Sequence, residues 1–314
     1  MTVPTVPAQR ALPASVAEDL EALAAALERA PPGPDGAPAL ADWLYQNWYL
    51  NVQPAQPRSG PPAAAELDLV SALEAAHAGS LRFEPGWHAD RVSSTGRVEA
   101  VRGRRRRVVG PGQYVDVDRP GAQPEPGDAL RVVTGLSSLE GGFWITRTWS
   151  FLEGGEQPMT RLYVNVRLSG APAAVALLTA RLLDAGLPFA LKVCLQLQNV
   201  QRSDALVVYL PRDQFAALRT ALAEGVAELE EAGCLVPQVP RLTARLRPGV
   251  AAADGEGAGA SYGHTRCVIL AAGLLGDADA TLRERALSAL TSAGLDPASP
   301  YLSPGSTHDY VPFA

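Results

Sequence analysis

Apolar residues recur at spacings of three and four positions in the first 80 residues, a period that is typical of helices. Three helices are predicted from this pattern, and each is bounded by glycine, proline or a short polar side chain. We expect Ser15 to cap the first helix and Gly79 to end the third. The predicted helices cover residues 15–30, 39–51 and 66–79.

A Pro-rich stretch separates the second predicted helix from the third. Residues 52–64 read VQPAQPRSGPPAA. Proline cannot donate a backbone hydrogen bond to a helix or a strand, so such a stretch is typical of a linker. We therefore expect a helical N-terminal region with its linker over residues 1–58 and a main domain over residues 63–314.

Between residues 80 and 150 the pattern changes to alternating apolar and polar positions, which is the period of a strand. The segment GRVEAVRGRRRRVVG is predicted to form a hairpin, and it carries the arginine run Arg104–Arg107. Charged residues on an edge strand discourage pairing with another sheet, so a solvated edge is favoured over a phosphate-binding or nucleic-acid-binding patch. Further strands are predicted at residues 114–118, 129–133 and 142–151.

From residue 151 onward, strand patterns and helix patterns alternate, which predicts a sheet flanked by helices. With the N-terminal helices, this pattern predicts the α+β class with a mixed sheet. Residues 249–260 are rich in glycine and alanine and are expected to be mobile. Strands are predicted at residues 160–168, 188–195 and 204–210, and helices at residues 173–186, 212–233, 261–275 and 279–294.

Composition narrows the class of protein. The chain of 314 residues has a formal net charge of −6 and a mean hydropathy of +0.01, so we expect a globular protein that does not bind nucleic acid. It has no run of 18 apolar residues and no secretory signal pattern, so we expect a cytoplasmic protein without membrane contact. The cysteines, at positions 194, 234 and 267, lack the spacing of a zinc site, and no metal is expected.

Lys192 is the only lysine among the 27 Lys and Arg residues of the chain. Arginine can replace lysine as a surface charge, but it stays protonated and cannot act as a base. Burial and nearby positive charges lower the pKa of lysine, which can make it a neutral amine. Lys192 is therefore either a candidate base or a chance survivor of an arginine-rich coding bias.

The strand containing Lys192 and the strand before it both present polar side chains on one face. Side chains alternate between the two faces of a strand, which places Arg161, Tyr163, Asn165 and Arg167 together. In the next strand Lys192 shares its face with Ala190 and Cys194. A solvated outer face would explain the polar stripe equally well.

Two later segments add candidate anion ligands. Arg202 lies just before the strand that carries Tyr209. Ser261 is a plausible N-cap, and His264 and Arg266 follow it in the first turn of a predicted helix, where backbone amides favour an anion. An ordinary surface histidine is the alternative for His264.

The sequence contains no P-loop, no G-x-G-x-x-G Rossmann pattern and no H-E-x-x-H motif, which disfavours the kinases, dehydrogenases and zinc proteases that carry them. An amine base among guanidinium groups suits proton abstraction next to a carbonyl, with an anion held nearby. β-Elimination of phosphate from phosphoserine or phosphothreonine requires such a set. We expect that reaction to need no cofactor.

The segments LYVNVRLSGAPAAVALLTARLLDAGLPFALKV, RSDALVVYLPRDQF and ASYGHTRC resemble the HopA-type effector family. LYQNWYLN and FEPGW resemble the opening of that family, so the resemblance covers most of the chain. The family includes type III secretion effectors, and relatives occur in gene clusters for class V lanthipeptides. The resemblance implies a fold related to the phosphothreonine lyases of bacterial effectors.

In those lyases a Lys-x-His strand supplies a phosphate contact and a general acid, and a later strand supplies a lysine base. By this pattern Lys192 is the base and Arg161 the phosphate contact, while Tyr163 stands where the acid histidine would be. This departure leaves Tyr163, His264 or unassisted departure of phosphate as alternatives. The further candidate contacts are Asn165, Arg202, Tyr209 and Arg266.

The leading hypothesis is a lyase that converts phosphorylated Ser or Thr of a ribosomal precursor peptide to dehydroalanine or dehydrobutyrine. A separate kinase and a cyclase would be its partners, because the chain has no kinase motif. The alternative is a non-catalytic, effector-like interaction module, which the absence of the acid histidine favours.

Overall fold

The computed structural model describes residues 12–29, 36–50, 53–54, 62–153, 157–195, 200–255, 261–276, 279–307 and 309–313. It has the α+β class that the sequence predicts. No helix within these ranges is both long and apolar enough to cross a bilayer. The helices are α1 (Ala14–Leu27), α2 (Ala37–Leu44), α3 (Pro62–Ala76), α4 (Trp149–Glu153), α5 (Ala171–Asp184), α6 (Phe215–Glu231), α7 (Tyr262–Leu274) and α8 (Leu282–Ser292).

The strands form two larger sheets and one two-stranded pair, and all the pairings are antiparallel. The strands are β1 (Gln53–Pro54), β2 (Phe83–Val92), β3 (Val98–Arg102), β4 (Arg105–Val109), β5 (Tyr114–Asp116), β6 (Ala129–Val133), β7 (Gly135–Glu140), β8 (Phe143–Thr148), β9 (Met159–Val164), β10 (Ala190–Cys194), β11 (Val200–Gln201), β12 (Leu206–Pro211), β13 (Ala244–Arg247) and β14 (Val250–Gly255).

The larger sheet has seven strands in the order β13-β14-β9-β12-β10-β8-β7, and helices cover both of its faces. One face packs against α5 and α6 through side chains such as Leu162, Leu191 and Val208. The opposite face carries Tyr163, Val207 and alanines of β14, and it packs against α1, α2 and α7. Arg161, Tyr163 and Asn165 of the predicted polar stripe therefore lie inside the protein, whereas Arg167, beyond the end of β9, is exposed.

The N-terminal helices share a hydrophobic cluster with the seven-stranded sheet. Leu20 and Leu44 lie in the same core as Leu270 of α7. Asp19 on α1 is buried, and it accepts hydrogen bonds from the Leu242 amide at 2.7 Å and the Arg241 guanidinium at 3.1 Å. The linker that we place at residues 52–64 falls mostly outside the described residues, so the boundary between 58 and 63 stays a prediction.

Several details of the predicted elements are wrong. α3 ends at Ala76, before Gly79, and the strand predicted to reach residue 151 ends at Thr148, where α4 begins. Ser15 lies inside α1, whose N-cap is Pro13, so the hydroxyl does not cap the helix. Residues 250–255, within the stretch expected to be mobile, form β14 and pair with β9 in the sheet. Small side chains suit this position, because Ala251 and Ala253 are fully buried beneath the helices.

The smaller sheet has five strands in the order β4-β3-β2-β6-β5. The predicted hairpin is confirmed as β3 and β4, and β4 is an edge strand. Arg107 departs from the expected solvated edge, because its side chain is buried between the rings of Trp87 (4.3 Å) and Trp149 (4.9 Å) and pairs with Glu84. Guanidinium groups stack favourably on aromatic faces, so Arg107 links the five-stranded sheet to α4.

Candidate functional site

The register of the seven-stranded sheet brings the predicted strand residues to one face. Lys192 pairs with Val207, which in turn pairs with Tyr163. Tyr209 pairs with Arg161 in the next row on the same face. Because directly paired residues and residues two apart share a face, Lys192, Arg161, Tyr163 and Tyr209 all open to the side covered by α2 and α7.

Lys192 lies half-buried between two aromatic rings. Its Nζ is 4.4 Å from the ring centroid of Phe143 on β8 and 5.6 Å from that of Tyr209. Burial lowers the pKa of Lys192 below its ordinary value, and the positive charges of Arg161 and Arg202 act in the same direction. Asp204 and Tyr45 oppose this shift. The environment therefore favours the neutral amine more than water does.

Arg161 is buried beside the same tyrosine ring, with its Cζ 5.5 Å from the centroid of Tyr209. The two cations, Lys192 and Arg161, thus approach one phenol ring from two sides. Burial raises the pKa of Tyr209 to about 12, so this phenol stays protonated at neutral pH. Tyr209 is half-buried and can therefore offer a proton to a group that enters between the two cations.

Arg202 supplies a third cation, and a buried carboxylate orients it. Its Nε and Nη2 donate to Asp204 Oδ1 (2.9 Å) and Oδ2 (3.0 Å), a bidentate geometry that fixes the plane of the guanidinium. Arg202 also donates to the Tyr45 hydroxyl at 3.4 Å. Its Cζ lies 5.8 Å from the ring centroid of Phe143, which is the ring that contacts Lys192. We call Arg161, Lys192 and Arg202 the cation cluster.

Tyr163 lies deeper than the cation cluster. Its hydroxyl accepts a hydrogen bond from Tyr49 at 3.5 Å, and a second comes from the neighbouring Arg161. Only 4% of Tyr163 is exposed, and burial raises its pKa to about 12. On the next strand Val207 separates it from Lys192.

A short π-helix covers the site, and no pattern in the sequence indicates it. The second predicted helix changes from α2 to a π-helical turn at Tyr45–Tyr49, and its rings Tyr45 and Tyr49 stack 5.6 Å apart. π-Helical turns occur frequently at functional sites because they re-aim side chains. Trp48 of this segment is buried in the core, whereas Tyr45 contacts Arg202 and His264.

Gly263 allows the π-helix to approach α7 closely. A Cβ at this position would lie 2.1 Å from Cε1 of Tyr49. The glycine in the SYGHTRC segment therefore provides the space in which the ring of Tyr49 lies.

His264 lies at the rim of the site. Ser261 caps α7 as predicted, by accepting from the His264 amide at 3.4 Å. The His264 ring contacts Asp42 Oδ1 at 3.1 Å and stands edge-on to Tyr45 at 6.0 Å. The exposed fraction of the His264 side chain is 46%. His264 contacts the ring of Tyr45, whose hydroxyl accepts from Arg202.

Two further candidates, Arg266 and Asn165, make contacts that hold the fold together. Arg266 is buried, and it donates to the carbonyl oxygens of Pro300 (2.9 Å) and Leu302 (3.1 Å), so it holds the C-terminal segment. Asn165 donates to the carbonyl of Gln238 at 2.8 Å and is also buried. Both side chains donate to backbone carbonyls, and their assignment as phosphate contacts stays a prediction that the proposal below does not use.

These elements define an α+β protein in which three cations and several aromatic rings meet on one covered sheet face. The HopA1 effector protein family model matches residues 136–302, which is more than half of the chain. The protein belongs to this family. The matched range contains all eight candidate site residues, and it begins after the five-stranded sheet.

Two solved structures are similar to this chain. An effector protein from Pseudomonas syringae pv. tomato strain DC3000 has a TM-score of 0.53 and 12% sequence identity, over 92% of this chain and 98% of that one. An effector protein from Pseudomonas syringae pv. syringae strain 61 has a TM-score of 0.49 and 17% sequence identity, over 92% of this chain and 96% of that one. The first likeness shows the fold. No curated protein matches the sequence.

Proposed function

We propose that this protein is a phosphoserine/phosphothreonine lyase that eliminates phosphate from a ribosomally made precursor peptide. The observation that carries the proposal is the contact of Lys192 and Arg161 with the same tyrosine ring, on one face of the sheet. An amine with a lowered pKa beside a fixed guanidinium matches the needs of β-elimination, which are a base for Cα and a cation for the leaving group.

In this reaction the unprotonated Nζ of Lys192 takes the proton from Cα of the phosphorylated residue. The electron pair of the broken Cα–H bond forms the Cα=Cβ double bond, and the Cβ–O bond breaks. The phosphate leaves with that oxygen and with the bonding electrons. Arg161 and Arg202 stabilise the negative charge that develops on it, because charge-assisted hydrogen bonds are stronger than neutral ones.

Tyr209 is better placed than Tyr163 to protonate the leaving oxygen. Its ring lies between the base and the phosphate-binding arginine, whereas Tyr163 is buried and hydrogen-bonded to Tyr49. This arrangement modifies the expectation from the sequence, in which Tyr163 takes the place of the acid histidine. His264 at the rim would contact the peptide and not the leaving oxygen.

The substrate must already be phosphorylated, so a separate kinase would act first. The product is an electrophilic dehydroamino acid, and a cyclase that adds a thiol to it would act afterwards. The proposed chemistry requires a base and phosphate ligands only, with no cofactor.

The proposal is tested by incubating the full-length protein with a phosphothreonine peptide and following the peptide mass. A lyase removes the elements of phosphoric acid, whereas a phosphatase leaves the alcohol. A dehydrated peptide that reacts with an added thiol supports the proposal. An unchanged peptide, or the alcohol product, contradicts it.

The second candidate function is an effector-like module that binds a partner without catalysis. The bidentate pairing of Arg202 with Asp204 favours it, because a neutralised arginine binds phosphate less strongly. Such a module would leave a phosphopeptide intact, whatever its affinity for the peptide. Calorimetry with the same peptide, paired with the mass measurement, separates binding from turnover.

A further inference from the structure

The edge of the five-stranded sheet carries a concentration of positive charge. Residues 97–107 contain six arginines and one acidic residue, in a chain whose net charge is −6. We call residues 102–108, which include the turn from β3 to β4 and most of β4, the basic edge. Residues 102–106 and Val108 are exposed, and the exposed fraction of Val108 is 61%.

Nearby carboxylates compensate only part of this charge. Arg106 pairs with Asp90 at 2.9 Å and Glu99 at 2.7 Å, and Arg102 shares Glu84 with the buried Arg107. Among the residues that the structure describes, the Arg104 side chain has no ion-pair partner. Arg104 stands in the two-residue turn between the paired Arg102 and Arg105, where Gly103 adopts a positive φ of 60°.

β4 has a pairing partner on one side only. It pairs with β3 and ends the five-stranded sheet, so its second edge has backbone N–H and C=O groups without strand partners in the described part of the chain. Such an edge is a template for another strand. A second copy of this edge would bring arginines against arginines, which disfavours self-association, whereas an acidic strand would meet complementary charge.

We propose that the basic edge binds an acidic peptide segment in extended conformation, by strand addition to β4. The main-chain groups of β4 would supply the pairing, and the arginines would select for Glu and Asp. The site is independent of the proposed lyase chemistry, because none of its residues belongs to the cation cluster. It also lies outside residues 136–302, the part that matches the family model.

A peptide is favoured over a nucleic acid for two reasons. A strand edge pairs with the N–H and C=O groups that alternate along an extended peptide. The backbone of a nucleic acid does not offer this alternation of donors and acceptors. The negative net charge of the whole chain also repels a polyanion that extends beyond the edge.

The binding test uses the full-length protein and a fluorescein-labelled peptide of about eight residues with alternating Val and Glu. A peptide with alternating Val and Lys and a single-stranded oligonucleotide of equal length are the comparison ligands. Fluorescence anisotropy should show binding of the acidic peptide alone, weakened by added salt. Arg104→Glu with Arg105→Glu should weaken this binding by about tenfold or more. Arg283→Glu, a charge reversal at an exposed position of α8, should leave it unchanged.

Hydrogen exchange separates strand addition from a loose ionic contact. The acidic peptide should slow amide exchange within residues 104–109, where the new ladder forms, and leave the distant α8 unaffected. The proposal is overturned by unchanged exchange in β4, by equal binding of the oligonucleotide or the lysine peptide, or by equal loss of affinity in Arg283→Glu. Each readout is independent of phosphate elimination, so the lyase proposal could fail while this one stands.

Discussion

Asp204 holds Arg202 through two hydrogen bonds, at 2.9 and 3.0 Å, on the same face as Lys192. Only 6% of Asp204 is exposed, and its negative charge raises the pKa of Lys192, opposing the effect of burial. The carboxylate therefore influences two members of the cation cluster. It orients the guanidinium of Arg202, and it raises the pKa of Lys192.

Asp204→Asn should shift the pH dependence of phosphate elimination to lower pH. Lys192 acts as the unprotonated amine, so kcat/KM rises as pH increases through the pKa of Lys192. Loss of the Asp204 charge lowers that pKa, and the unpaired Arg202 lowers it further. The pH–rate profile measures this shift. A rising limb that moves to higher pH, or stays in place, would show that Asp204 does not act on the base.

Tyr209→Phe should reduce elimination more than Tyr163→Phe does. Loss of a positioned general acid lowers the rate by about 10²–10⁴-fold, and Tyr209 lies between the two cations that the reaction uses. Phe retains the ring that contacts Lys192, so each variant removes only a hydroxyl. Single-turnover kinetics on a phosphothreonine peptide compare the two. A larger loss in Tyr163→Phe would restore the assignment made from the sequence.

Gly263→Ala should destabilise the contact between α7 and the π-helix. Alanine is the better helix former, yet its Cβ would overlap Tyr49, and overpacking of this kind destabilises by about 1–3 kcal/mol. Urea unfolding measures the change. Gly110→Ala is the matched control, because its Cβ has open space apart from Gln113 at 3.8 Å.

A smaller residue at position 49 should remove that overlap. The combination of Gly263→Ala with Tyr49→Leu should be more stable than the sum of the two single changes predicts. Strictly additive free energies would mean that the side chain of Tyr49 does not occupy the space beside Gly263.

The buried ring of His77 should lower the free energy of unfolding in mild acid. Its ring is buried, with Nε2 2.8 Å from Thr146 Oγ1, and burial lowers its pKa from 6.5 to about 4. The unfolded chain therefore binds a proton that the folded one does not, and stability is lost as the pH falls from about 6.5 to 4, by at most about 1.4 kcal/mol per pH unit. His77→Gln should flatten this dependence.

His88→Gln on the exposed face of β2 is the control for His77, and it should keep the wild-type pH dependence. Denaturant unfolding at several pH values provides the comparison. Parallel curves for the wild type and His77→Gln would contradict the assignment of the effect to this ring.

The period of two predicted the main feature of the site from the sequence. It placed Arg161 and Tyr163 on one face of β9, and the strand register shows that Lys192 of β10 lies on the same face of the sheet. It did not predict burial, because a polar stripe on a solvated strand has the same pattern. Burial of Arg161 results from α2 and α7, which are distant in sequence.

Other parts of the site required the three-dimensional structure. The π-helical turn at Tyr45–Tyr49 differs from an α-helix by one residue per turn, which apolar spacing does not detect. Phe143 approaches Lys192 only through the pairing of β8 with β10. β14 reads as a flexible, alanine-rich stretch, whereas small side chains are what a central strand needs under closely packed helices.

The carbonyl contacts of Arg266 also required the three-dimensional structure. A helix start with an arginine is typical of an anion site, and the sequence offered no sign that backbone carbonyls of the C-terminal segment occupy the guanidinium. Pro300 and Leu302 are more than 30 residues away along the chain. Such a contact depends on where residues 300–302 lie in the fold.

Lys192→Arg tests the central claim most directly, with elimination and binding measured on the same phosphothreonine peptide. Arginine keeps the positive charge but cannot release its proton to become a base. We predict a loss of elimination of about 10²–10⁴-fold by mass spectrometry, with peptide affinity retained through Arg161 and Arg202. Elimination at the wild-type rate in Lys192→Arg would contradict the assignment of Lys192 as the base.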